Sequence, residues 1–155
     1  MAGLFAMAGL IAQDGWAVKD QYGRLHTEAT LRGRAVVLLV ARSKAGGEQL
    51  QLWTARLRER TGTCADSIAI VRAADLSFIP RLLRGQARKR LPLRDSLPVL
   101  LDFERVLATR YRLSDSTTTQ VVLDRQGSEI ARFTGMEATP LAVSRVADAV
   151  CAVGR

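Results

Sequence analysis

The stretch LRGRAVVLLVA, residues 31–41, has no polar side chain from Ala35 to Ala41. A strand with one wet face alternates apolar and polar residues. One that does not alternate is covered on both faces, which in a small domain means the interior of a sheet with helices packed on either side. The following residues fit that requirement. Leu50, Trp53 and Leu57 recur at helical spacing while Arg56, Glu59 and Arg60 take the other side, predicting a helix over about residues 47–60 that Gly62 ends. SIAIV, 67–71, is a second apolar strand, and a strand–helix–strand succession makes those two strands parallel neighbours.

The rest of the chain extends this unit. WAVKD (16–20) and RLHTE (24–28) flank QYG and predict a hairpin turning at Gly23. RAADLSF leads toward a second helix, with Pro80 near its start. LPVLLD and FERVLATRYRL make an inserted strand and helix. TQVVLD, the turn RQG and SEIARFTG make a closing hairpin. The last helix, from about Pro140 to Val150, puts Val143, Val146, Ala147 and Val150 on one face. The expected architecture is a mixed-sheet α/β sandwich. Its length of 155 residues suits a single domain, over 14–155, behind an apolar segment, 1–13.

That segment, MAGLFAMAGLIA, is uncharged and too short to span a bilayer. It reads either as the remnant of an export signal or as an ordinary N-terminal helix. The export reading is favoured, and with it a periplasmic or exported location over a cytoplasmic one. The net charge of +8 rests almost wholly on arginine. Such a charge favours anionic partners in general, but no nucleic-acid-binding motif accompanies it, so no specific nucleic acid is expected. The cysteines, Cys64 and Cys151, share no local motif, and with His26 the single histidine no structural metal site is expected.

Several phrases, in this order, resemble the thioredoxin-like superfamily, in the branch of peroxiredoxins, TlpA/ResA-type thiol oxidoreductases and YtfJ-like periplasmic proteins. VKDQYGRLHTEATLRGRAVVLLV resembles that branch's opening hairpin, its L-x-G-[KR] turn and its first central strand. PVLLDFERVLATRYRL resembles its inserted strand and helix, and VVLDRQGSEIARFTG its terminal hairpin. The resemblance implies a thioredoxin-like mixed β-sheet sandwiched by helices over residues 16–152. In redox-active members the first central strand leads into a Cys-x-x-Cys turn, whose first thiolate is activated by the helix N-terminus and whose second thiol resolves the mixed disulfide. Here those positions are Ala45 and Glu48, which do neither. Thr118 stands about where thioredoxins carry a cis-proline.

The leading expectation is therefore a redox-inactive thioredoxin-like domain acting as a binding or structural module, with no cofactor and an unidentified protein partner. Its recognition surface would be the turn Arg42, Ser43, Lys44, Ala45, Gly46, Gly47 and Glu48, facing the loop Thr117, Thr118 and Thr119. The glycine pair ahead of a helix also offers backbone N–H groups to an anion, though without nucleotide-binding spacing. Both cysteines are expected to be small, unpaired, partly buried residues, with a Cys64–Cys151 disulfide or a reactive Cys64 as alternatives. The competing function is a divergent thiol-disulfide oxidoreductase or peroxiredoxin-like protein using Cys64. A third reading is an anionic-surface or membrane-surface binder through the segment from Arg81 to Arg94, where Arg84, Arg88, Lys89 and Arg90 cluster.

Overall fold

A computed structural model of the chain describes residues 15–90, 97–115 and 118–155. The apolar segment 1–13, Thr117 and the end of the basic segment at 91–94 lie outside them. The strands are β1 (Ala17–Lys19), β2 (Leu25–Thr27), β3 (Ala35–Ala41), β4 (Ile68–Asp75), β5 (Val99–Asp102), β6 (Thr119–Leu123) and β7 (Glu129–Thr134). The α-helices are α1 (Lys44–Arg60), α2 (Arg84–Arg90), α3 (Val106–Arg110) and α4 (Pro140–Gly154).

The main sheet has the order β5-β4-β3-β6-β7. β3, β4 and β5 run parallel, while β6 is antiparallel to β3 and β7 to β6. β1 and β2 pair only with each other as a separate ribbon, tied to the sheet by a bridge between Asp20 and Leu100. Gly23 turns this ribbon at φ +80°, a conformation that favours glycine.

β3 is buried at every residue, as its unbroken apolar run requires. Ala35, Val37, Leu39 and Ala41 pack with Leu50, Trp53 and Leu57 of α1 and with Val143, Val146 and Val150 of α4. Val36, Leu38 and Val40 face the other way, onto Trp16, Val18, Leu107 and Tyr111. Each indole also finds an acceptor: Trp53 Nε1 donates to the Met136 carbonyl at 3.0 Å and Trp16 Nε1 to the Tyr111 hydroxyl at 2.9 Å. Burial pushes the Tyr111 phenol above its ordinary range.

Three boundaries differ from the sequence expectation. α1 begins at Lys44 rather than 47, because Ser43 caps it: its Oγ accepts the Gly46 N–H at 2.9 Å, so both glycines fall inside the first turn. β4 continues through RAAD to Asp75, held in register between β3 and β5. α3 is a five-residue helix, shorter than FERVLATRYRL suggests.

The cysteines also require a correction. Cys64, in the 3-10 turn Gly62–Ser67, is joined to Cys151 of α4 by a disulfide across Cα atoms 5.7 Å apart, so neither is free. Their sequence separation of 87 hid a pairing that only the packing of α4 beside the end of α1 creates.

Candidate functional site

The carboxyl ends of β3, β4 and β5 converge on the start of α1, the edge at which open α/β sheets take their ligands. On the first turn of α1, Ser43, Lys44, Ala45 and Glu48 are exposed, and Gly46 is buried. The reason is a close contact with Thr118. A β-carbon at Gly46 would stand 2.7 Å from Thr118 Oγ1 and 3.2 Å from the Ala41 β-carbon. Thr118 and the helix turn are thus in direct apposition, and among the described residues no peptide bond is cis. Thr119 is fully buried in β6 opposite Val40, which removes it from any recognition surface. Of the expected residues, Arg42, Ser43 and Lys44 share a hollow with Thr118, which is itself 4% exposed, and Gly46 packs against that threonine; Gly47 and Glu48 line a second hollow, and Thr119 lies beneath.

Beside this turn stands a four-membered ion cluster that the sequence did not reveal. Arg42 Nη1 contacts Asp115 Oδ1 at 2.9 Å, and its Nε lies 3.8 Å from Asp75 Oδ2. Arg105 makes the same two contacts from the other side, to Asp115 Oδ1 and, at 3.8 Å, to Asp75 Oδ2. The Arg105 guanidinium holds the Asp115 carboxyl below the usual carboxylate range, with Arg42 adding to it. Arg105 also has φ +57°, a backbone cost that a non-glycine residue bears only when its surroundings fix it. Asp75 is further tied to the N–H and hydroxyl of Ser77. Asp102, its neighbour in register, accepts the N–H groups of Val106 and Leu107, each at 2.8 Å. Burial nevertheless pushes the Asp102 carboxyl up, and the charge of Asp75 adds to the rise.

Two hollows adjoin the turn. One, about 660 Å³, lies between Ser43 and Lys44 on one side and Phe78, Asp115, Thr118 and Met136 on the other. The second, about 1000 Å³, runs under the α1 side of the same turn, between α1, β4 and the arm 78–90.

That arm contains the basic segment, as a 3-10 turn (Arg81–Leu83) followed by α2, and neither part buries a residue. Arg84 pairs with Glu104 and lowers that carboxyl's pKa; Arg84 and Arg88 both lie over the Phe103 ring, at 5.2 and 5.3 Å. These two arginines therefore anchor the arm. Arg81, Lys89 and Arg90 remain exposed, next to Leu82, which is 94% exposed.

Cys64 is remote from all of this. It follows the carboxyl end of α1, whose 17 residues span about 25 Å. It is 8% exposed, and its sulfur is bonded to Cys151. Among the described residues no group of three His, Cys, Asp or Glu could hold a metal, and no helix is long and apolar enough to cross a membrane.

No protein-family model and no curated protein sequence matches the chain. Its structure is similar to that of the exposed lipoprotein thioredoxin Etrx1 of Streptococcus pneumoniae, at 16% identity and a TM-score of 0.65, over 87% of this chain and 98% of that one. It is also similar to a candidate thiol:disulfide interchange protein DsbE from Chlorobium tepidum, at 12% identity and a TM-score of 0.67, covering 92% and 95% of the two chains. A third likeness is to the copper-bound ScoI of Bradyrhizobium japonicum, at 15% identity and a TM-score of 0.57, covering 91% and 98%. The fold is thioredoxin-like.

Proposed function

We propose that this thioredoxin-like domain is a redox-inactive recognition module, which binds a polypeptide partner in the hollow that Ser43 and Lys44 form with Phe78, Thr118 and Met136. The observation that carries this reading is the distribution of sulfur. Ala45 and Glu48 occupy the turn where the fold's dithiol chemistry is expected, and the cysteines are spent on each other beyond the far end of α1. Nucleophilic exchange needs an accessible thiolate at a helix start, and this helix start has none. What remains there is shape and charge: the hollow of about 660 Å³, the exposed Lys44, which makes no ion pair among the described residues, and the apolar side chains of Phe78 and Met136.

The disulfide supports an oxidising, exported setting, because such bonds persist where thiols are not kept reduced. The competing reading, a divergent oxidoreductase working through Cys64, draws support from the interchange protein among the structural neighbours. The low exposure of Cys64 weighs against it.

Insulin-reduction and peroxide-consumption assays on the wild type and on Cys64→Ser separate the two. Neither protein should turn over; turnover that vanishes with Cys64→Ser overturns the proposal. For the binding half, the probe is reduced, carboxymethylated lactalbumin, an unfolded chain without thiols. It should bind saturably and weaken with Met136→Arg, which changes the cleft wall alone. No binding by the wild type overturns the reading.

A second role is favoured by the arm. Exposed Leu82, Leu83 and Phe78 beside exposed Arg81, Lys89 and Arg90 suit contact with an anionic membrane surface. Co-sedimentation with phosphatidylglycerol vesicles should fall when Arg81, Lys89 and Arg90 are neutralised; sedimentation that survives this sinks the role.

A further inference from the structure

We infer that the larger hollow, between α1, β4 and the arm, binds a long-chain carboxylate. Its walls are mainly apolar, with Leu50 of α1, Ala74 and Leu76 at the end of β4, and Ile79 and Leu83 of the arm; the buried Arg72 on the same wall is committed to the Leu97 carbonyl. Its volume of about 1000 Å³ is far beyond a packing defect in a core of normal density. It lies at the upper end of the range for small-molecule sites, about 300–1,000 Å³.

Gly47 shows how far the space extends. It lines the hollow, and a β-carbon placed on it would meet no atom within 4 Å. A helix-interior glycine costs about 1 kcal/mol against alanine. Unlike Gly46, this one is not required by a neighbour, and its effect is to leave the hollow open to the helix backbone.

The charges of the rim select the ligand. Arg42 is committed to Asp75 and Asp115. Lys44 and Arg90 line the hollow and make no ion pair among the described residues. Glu48 is the carboxylate on the same rim, so the uncommitted charge is two cations against one anion. A neutral lipid would bring no counter-charge to these cations. A small multiply charged anion would leave the apolar walls unfilled and exceed the single net positive charge of the rim. An aliphatic chain ending in one carboxylate satisfies both parts, chain inside and head at the rim. This inference goes beyond the recognition of a polypeptide partner and does not depend on it.

The test uses the full chain and a dansyl-labelled undecanoate probe, below micelle-forming concentrations. Probe fluorescence should rise saturably. Dodecanoate should displace the probe at least about tenfold better than dodecanol, the equivalent of one charge-assisted contact of about 1.4 kcal/mol. Gly47→Leu fills the space while improving helix propensity, so it should fold and lose the probe. Lys44→Glu with Arg90→Glu should weaken dodecanoate and leave dodecanol unchanged. Met136→Arg lies outside this hollow and should leave the probe bound, so a failed partner site and a failed carboxylate site give different results. Absence of probe binding, equal displacement by dodecanol, or binding untouched by Gly47→Leu overturns the inference.

Discussion

Gly46 and Thr118 are fitted to each other: a β-carbon on the glycine would come within 2.7 Å of the threonine hydroxyl oxygen. Two effects oppose in Gly46→Ala. Helix propensity favours alanine by about 1 kcal/mol, while overpacking a buried contact costs about 1–3 kcal/mol. The Ala41 β-carbon and Ser43 Oγ, each at 3.2 Å, would crowd the same methyl, so the clash should win. Gly46→Ala should destabilise the protein in urea, and Thr118→Ala should recover most of the loss in the double variant. Additive effects in that cycle would show that the two residues do not meet.

The Cys64–Cys151 bond closes a loop of 87 residues' separation, so its main action is on the unfolded chain. A typical contribution is about 2–4 kcal/mol. Reduction, or Cys64→Ser with Cys151→Ser, should lower the urea midpoint accordingly. The lactalbumin affinity should not change, since α1 separates the bond from the cleft. A loss of affinity in step with the bond would tie the disulfide to function.

The sheet and its coverage were legible because β3 states its burial on both faces in one unbroken run, and the helical spacing of Leu50, Trp53 and Leu57 names the partner surface. The thiol-free turn was legible by counting from that strand to Ala45 and Glu48. What was not legible depends on distances between elements. Arg42, Asp75, Arg105 and Asp115 are scattered over four segments, and no spacing rule brings them together. The cysteine pair is of the same kind. The burial of Thr119 was not legible because β6 is covered along its whole length, its polar first residues included. The hollow beneath the arm was hidden for another reason: its boundary is the path of an arm that buries no residue of its own.

Asp20 makes the β1–β2 ribbon sensitive to acid. Burial tends to raise its carboxyl, but the His26 ring at 2.8 Å and the N–H groups of Arg24 and Tyr22 at 2.9 Å outweigh that and hold it below its ordinary value. A carboxyl lowered by folding contributes stability that is present above its unfolded value, about pH 4, and lost as pH falls through the folded one. Asp102 has the opposite sign: raised by burial, it favours the folded state when protonated, and that contribution is lost as pH rises through its folded value. Asp20→Asn keeps an acceptor for the two N–H groups and removes the titration. Its urea midpoint should therefore fall less than that of the wild type between about pH 6 and pH 3. Parallel curves would remove Asp20 from the acid response.

Two thiols placed in the first turn of α1 should restore disulfide exchange. Ala45 and Glu48 are exposed, three residues apart on the first turn of a helix, where β-carbons stand about 5–6 Å apart. Small adjustments bring such a pair into disulfide range. A thiol at 45 would also lie at the α1 N-terminus near Lys44, both of which lower a thiol pKa. Ala45→Cys with Glu48→Cys should therefore form an intramolecular bond under oxidation and reduce insulin when supplied with dithiothreitol. The native Cys64–Cys151 pair should stay apart from that exchange, so adding Cys64→Ser and Cys151→Ser should leave the new activity in place. Thr118 in place of a cis-proline should hold the rate below that of a natural dithiol enzyme run in parallel. A double variant that oxidises yet shows no exchange would mean that the surroundings of the turn, with their Arg42–Asp115 cluster, block a disulfide substrate, and that restoring two thiols is not enough for exchange.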